Sequence, residues 1–199
     1  MAGAFPISTA QFGTLGIKSN QTTIISQSVS GKKLSRQIDN QRFAFTVQII
    51  TAKRSDVYGE LMAFIMKQRS SKENFTIVPP EVSNARGTAS GTPNGTASAG
   101  ATSITLGGTG TGTLKAGDFI KFANHDKVYM VVADQSDIST GSLTIEPPLT
   151  TAVSSSDITY DNVPFTVYLT NDLQQFGVSG ADKDGNLYYE YQFDVEEAL

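Results

Sequence analysis

Apolar and polar residues alternate most cleanly over residues 41–50. There Phe43, Phe45, Val47 and Ile49 fall on one side and Arg42, Ala44, Thr46 and Gln48 on the other. Successive side chains of a strand point to opposite faces, so this run reads as a half-buried antiparallel strand. The same period returns near the end of the chain, where Leu187, Tyr189, Tyr191, Phe193 and Val195 share one face. Asp184-Gly185 just before it is a hairpin signal, with Phe176-Gly-Val-Ser179 as the other arm. Further strands are predicted at 21–30, rich in β-branched residues and bounded by Gly31, at 74–78, stopped by Pro79-Pro80, and at 164–169. A helical period occurs once. Val57, Leu61, Phe64 and Ile65 recur at i, i+4, i+7 and i+8, predicting a helix over about 55–69. Ser55 or Asp56 can cap its start, and Lys67 and Arg69 suit its C-terminal end. Residues 1–20 carry Gly3, Gly13 and Gly16 among short apolar pieces and read as an arm or an irregular edge.

From about Glu81 the pattern changes. Residues 87–113 are dominated by Gly, Thr, Ser and Ala, which excludes a long helix. Short strands punctuate the stretch beyond, at 102–106, 118–122, 127–133 and 142–146, with turn residues between them. That spacing suits a small antiparallel barrel or sandwich, closed by Pro147-Pro148 and the serine run 154–156. The chain is therefore expected to be mainly β. Its outer domain is made of two separated pieces, 1–86 and 158–199, with a Gly/Thr-rich β module of 87–157 inserted between them at exposed connections.

Composition narrows the function classes. The chain has 199 residues and no cysteine, which removes disulfides, thiolate metal sites and cysteine nucleophiles. No apolar run approaches the roughly 20 residues of a membrane span, and the N-terminus has no signal-peptide pattern. The natural reading is a protein made in a reducing cytoplasm. The net charge of −4 hides an asymmetry: ten Lys/Arg against three acids from Lys18 to Lys72, then nine acids against Lys183 alone from Asp157 to Leu199. Either solvated strand faces differ in sign by accident, or complementary surfaces pack head to tail between copies.

Catalytic constellations are hard to find. The single histidine, His125, stands in Ala-Asn-His-Asp-Lys between two predicted strands and reads as a hairpin turn. One histidine without cysteine does not make a zinc site, and no Gly-x-Ser-x-Gly elbow occurs. Asp182-Lys-Asp-Gly-Asn186 resembles the start of a calcium loop but has Leu187 where the sixth-position glycine belongs, so a solvated turn is expected. The run Gly107–Gly112 lacks the lysine and the strand-to-helix context of a phosphate loop, and reads as a flexible turn. No catalytic, cofactor or metal residue is assigned, and the protein is expected not to be an enzyme.

Several stretches resemble one another's company in bacteriophage distal tail and minor tail proteins. One set is Gln41-Arg-Phe-Ala-Phe-Thr-Val47, Leu61-Met-Ala-Phe-Ile-Met-Lys-Gln-Arg69 and Asn74-Phe-Thr-Ile-Val-Pro-Pro80. The module carries Leu114-Lys-Ala-Gly-Asp-Phe-Ile120, Lys127-Val-Tyr-Met-Val-Val132 and Leu143-Thr-Ile-Glu-Pro-Pro-Leu149, and the chain ends in residues 191–199, which look like the last strand of such proteins. The resemblance implies a tail-tube-like β-sandwich with one flanking helix. It implies a structural subunit of the virion, in a homo-oligomeric ring often of six at the distal tail or baseplate, joining the tail tube to hub or fibre proteins. DNA would cross the channel without specific recognition, and no membrane or cofactor is implied. The charge asymmetry nominates an assembly interface of Lys32, Lys33, Arg36 and Arg42 against Glu190, Asp194, Glu196 and Glu197. The alternative is a glycan- or receptor-binding role for the module, for which it offers only Phe119, Phe122 and Tyr129 as aromatics and no tryptophan.

Overall fold

Two alternating runs build the centre of the fold. In the computed structural model, which describes residues 3–6, 11–37 and 41–199, Arg42–Lys53 (β4) and Leu187–Glu197 (β14) lie antiparallel, with Val47 opposite Phe193 and Phe45 opposite Val195. This register puts Phe43, Phe45, Val47 and Ile49 on the same face as Tyr191, Phe193 and Val195, and all seven are buried. Phe12–Asn20 (β1) pairs with the other side of β4. Phe165–Leu169 (β12) pairs with the C-terminal half of β14, and Phe75–Ile77 (β5) lies beyond it. Phe176–Ala181 (β13) pairs with the N-terminal half of β14, giving a six-stranded sheet.

Helix Gly59–Gln68 (α1) covers part of the apolar face through Leu61 and Ile65, with Val57 and Tyr58 just before it. The sequence prediction needs three corrections here. Residues Arg54–Tyr58 form a wide π-helical turn, so the α-helix proper begins at Gly59. Neither Ser55 nor Asp56 caps it, because the Ser55 hydroxyl donates to Asp56 instead. Phe64 is only half-buried, edge-on to Phe5 and Phe75.

The N-terminal region is more regular than its composition suggests. Residues 12–20 are an edge strand. Upstream, the Phe5 N–H donates to the Thr76 carbonyl at 2.8 Å and the Thr76 N–H to Gly3 at 3.1 Å. This strap places the Phe5 ring among Phe12, Phe64, Phe75 and Phe193. The strand expected over 21–30 is shorter, Thr23–Gln27 (β2). Its partner, Lys33–Gln37 (β3), comes from a basic stretch that alternation left unassigned. Every residue of this two-stranded ribbon is exposed.

Between β5 and β12 the chain closes a six-stranded antiparallel barrel. Its strands are Pro93–Ala97 (β6), Ser103–Gly108 (β7), Phe119–Phe122 (β8), Val128–Val131 (β9), Ser142–Glu146 (β10) and Val153–Thr159 (β11), in the order β10-β7-β6-β11-β8-β9. Two of them were not predicted. β6 reads Pro-Asn-Gly-Thr-Ala, with no apolar alternation, and β11 contains the serine run expected as a closing linker. Ile104, Ile120, Phe122, Tyr129, Val131, Leu143 and Ile145 fill the interior. The outer wall contributes Phe119 and Val128 to the core of the sheet. Phe43, Phe119 and Phe165 meet edge-to-face, with centroids 5.1 to 6.1 Å apart. The layer facing the sheet is therefore α1 together with the barrel wall.

The Gly/Thr run is a packed ribbon rather than a flexible turn. Ser90 and Thr111 exchange both backbone hydrogen bonds at 2.9 Å. Cross-strand hydroxyls pair at 2.8 Å between Ser90 and Thr111 and at 2.7 Å between Thr92 and Thr109. Glycine is required by contact: a Cβ on Gly112, whose φ is +88°, would sit 2.1 Å from the Thr88 carbonyl oxygen. Gly112→Ala is expected to cost about 1–3 kcal/mol for the left-handed backbone alone, with the displacement of Thr88 added. Gly185→Ala, at φ +81° in open space, carries only the first cost. Urea unfolding of both variants checks this, and equal losses would mean the ribbon is loose.

Candidate functional site

Alternation puts two polar residues on the apolar face. Gln41 shares the parity of Phe43 and Phe45, and Glu197 that of Phe193 and Val195. The structure buries both, at 2 % and 0 % exposure, and brings Lys127, at 2 %, between them from the turn before β9. The Glu197 carboxylate accepts from the Lys127 ammonium, from the Val128 N–H at 2.8 Å and from the Phe43 N–H at 3.2 Å. Lys127 Nζ also donates to Gln41 Oε1 at 3.1 Å and lies 4.8 Å from the Phe43 ring centroid. Gln41 Nε2 donates to Ser19 Oγ at 3.0 Å. Burial pushes the Lys127 pKa below its ordinary value, against the pull of Glu197. The cluster ties β1, β4 and β14 to the barrel.

This placement removes Glu197 from the nominated assembly interface. The parity that hides it was readable in the sequence, as a carboxylate one step past Val195 on the core face. Three more basic-to-acidic pairs close within the chain: Lys18–Asp194 and Arg42–Glu196, each at 3.7 Å, and Lys53–Asp182 at 2.7 Å. They form because β14 lies beside β4, and β1 beside β4. Part of the charge asymmetry along the chain is thus offset across neighbouring strands. Glu190 remains exposed, and Lys32, Lys33 and Arg36 stand on the exposed ribbon β2–β3 and its turn.

The other sequence features settle into structural roles. His125 Nδ1 meets Asn124 Oδ1 at 2.7 Å and Nε2 meets the Tyr129 hydroxyl at 2.8 Å, while its ring stacks on Phe122. Burial, then the nearby Lys121, lowers the His125 pKa; Asp126 opposes and Lys127 adds to the lowering. Asp182 accepts from the Asp184 and Asn186 N–H groups, each at 2.9 Å, from the Asn186 side chain and from Lys53. These donors hold its carboxyl well below the usual range and make the segment an Asx-type turn. In Leu114–Asp118, buried Asp118 accepts from the Lys115 N–H at 2.7 Å and from the Arg86 N–H and Nε, each at 3.1 Å. Phe119, Phe122 and Tyr129 are all core residues, so none offers an open face for stacking a sugar.

Residues 81–163 match the model of a protein family described as distal tail protein pb9, B domain. The matched span contains the whole barrel, Pro93 to Thr159. The match supports a phage distal tail protein family. No curated protein matches the chain significantly.

Removing one member of a buried pair strands the other charge. Glu197→Ala or Lys127→Ala is expected to cost about 3–5 kcal/mol, whereas joint replacement by Lys127→Met and Glu197→Leu should cost far less; urea unfolding of the three variants checks this. A second expectation concerns pH. The folded state resists protonating His125, so the unfolded state binds the extra proton first, and stability falls as pH drops below about 6.5 toward the folded value. Thermal melting across that window should show the fall, and His125→Gln should flatten it.

Proposed function

We propose that this chain, a structural protein of the phage distal tail by the domain it carries, assembles with its own copies into a ring. The ring joins the end of the tail tube to hub, baseplate or fibre proteins. The family match over the barrel carries this reading, and the sheet supplies the supporting physical argument. Among the described residues, β1 pairs only with β4, and β13 only with β14. Each leaves a row of backbone donors and acceptors on its outer edge, a ready template for a neighbouring chain. A ring satisfies both edges of every copy at once, because head-to-tail contacts close when the rotation closes.

The ribbon β2–β3 supports the same reading. An isolated two-stranded hairpin is marginal in water, yet this one exposes Ile24, Ile25 and Leu34 at 54, 60 and 52 %. Seating it on an adjacent subunit covers these side chains and leaves Lys32, Lys33 and Arg36 at the rim, where charges set partner choice and association rate. Asp194, Glu196 and Arg42 already serve pairs within the chain, so Glu190 is the acid from the nominated set that stays available to a neighbour.

The sheet face opposite the core carries Ala44, Thr46, Gln48, Gln192 and the paired charges of Lys18, Asp194, Arg42 and Glu196. It has no dense basic patch, which suits a channel wall that lets DNA pass without gripping phosphates. A copy number of six, a peripheral position for the barrel and synthesis in the host cytoplasm complete the proposal. No step in it requires catalysis.

Light scattering and electron microscopy of the purified chain test the ring. Closed oligomers are expected, weakening as salt rises because exposed charges are screened beyond about 8–10 Å. Reversing Lys32, Lys33 and Arg36 to Glu should weaken assembly while leaving subunit melting nearly unchanged. A chain that stays monomeric at every concentration and is not located at the tail tip of the intact particle overturns the reading.

A further inference from the structure

We infer that Lys127, Gln41 and Glu197 form a self-modifying centre in which Lys127 Nζ and Gln41 Cδ join in an intramolecular amide. The inference stands on the buried cluster alone and does not rest on the ring. Three chemically distinct groups meet there with almost no solvent access: a primary amine, a carboxamide in hydrogen-bond contact with it at 3.1 Å, and a carboxylate touching the amine. Each comes from a different part of the chain, so nothing in local sequence requires them to meet. The Phe43 ring walls the amine at 4.8 Å.

Each group has a defined task. A desolvated lysine is activated as a nucleophile because burial disfavours its charged form, and burial is the leading cause of the lowered Lys127 pKa. Glu197 takes a proton from the ammonium, and the free amine attacks Gln41 Cδ, forming the Nζ–Cδ bond. The carboxylic acid then returns the proton to the carboxamide nitrogen. The Cδ–Nε2 bond breaks with its electron pair going to nitrogen, neutral ammonia leaves, and the remaining proton of the attacking nitrogen passes to Glu197, which touches it. Nothing is oxidised or reduced. An ammonium, a carboxylate and a carboxamide become one secondary amide, one carboxylic acid and one molecule of ammonia. Ser19 Oγ accepts from Gln41 Nε2 and so orients the leaving nitrogen. Fixing the reactants against each other supplies the proximity that an amine and an amide lack in water, and positioned acid–base transfer lowers the barrier further.

The product suits its surroundings. No buried charge remains: Glu197, now a neutral carboxylic acid, keeps the Val128 and Phe43 N–H donors and gains the N–H of the new amide. The bond links the start of β4 to the turn before β9, a covalent tie between sheet and barrel in a chain without cysteine.

Mass spectrometry of the purified full chain under denaturing conditions tests this directly. The intact mass is expected to fall short of the sequence by one ammonia. Trypsin should fail to cut after Lys127, and a branched peptide should join residues 41 and 127. Glu197→Gln and Gln41→Ala should each restore the full mass. A wild-type chain at full mass with Lys127 cleaved overturns the inference and leaves the cluster an ion pair. So does an ammonia loss that maps to a succinimide at Asn94-Gly95. Undiminished cross-linking in Glu197→Gln overturns the role given to the carboxylate.

Discussion

A carboxylate placed at a core position of the last strand has to be matched by donors from somewhere else. Glu197 follows Phe193 and Val195 on the buried face, and its own strand cannot satisfy it, because its side chain points away from the ladder. The donors that reach it are the Phe43 N–H at the start of β4, and the Lys127 ammonium and Val128 N–H at the entry to β9. Stranding either charge costs several kcal/mol, so the barrel has one seat on the sheet. The edge-to-face contacts of Phe119 with Phe43 and Phe165 add apolar burial at the same seam. The barrel between β5 and β12 is consequently not an appendage on a linker. Through Phe119 and Val128, the barrel wall completes the core of the sheet.

The same strand neighbourhood sets the distribution of charge. Because β14 and β1 both flank β4, acids from the end of the chain lie across from bases near its beginning. Lys18, Arg42 and Lys53 each find a partner from residues 182–196. Such exposed pairs contribute only about 0–1 kcal/mol each, but together they leave the open face of the sheet close to neutral. Three of the other cations, Lys32, Lys33 and Arg36, stand on the ribbon β2–β3 and its turn, which also carries exposed isoleucines and a leucine.

Within the barrel, glycine and threonine act together in a way that composition obscures. Gly87, Gly91, Gly108 and Gly112 lie where a Cβ would meet the backbone of the opposite arm at 1.9 to 2.6 Å. Their absence of side chains lets the arms approach, and the intervening Thr and Ser hydroxyls pair across the ribbon. A segment that reads as flexible in one dimension is tight in three.

How much of this was legible in the sequence depends on whether a residue's role is local. Alternation at 41–50 and 187–195 identified the two central strands and their apolar faces, because side-chain parity is a property of the strand itself. The mainly β class, the single helix and the short strands β7 to β10 follow from the same local rules. Parity also places Gln41 and Glu197 at core positions, but charge counting nominated Glu197 for an outer interface, because a polar residue at such a position has meaning only once its partner is known. Tertiary structure alone decided that partner, since Lys127 lies 70 residues from Glu197 in sequence. It also decided β6 and β11, whose glycine, asparagine and serine carry no apolar period and become strands only because barrel neighbours supply their hydrogen bonds. The charge asymmetry was correctly counted from the sequence, but whether opposite signs meet within one chain or between chains is settled by which strands are neighbours. Strand order is a long-range fact, fixed by packing and ladder pairing rather than by the residues of any one strand.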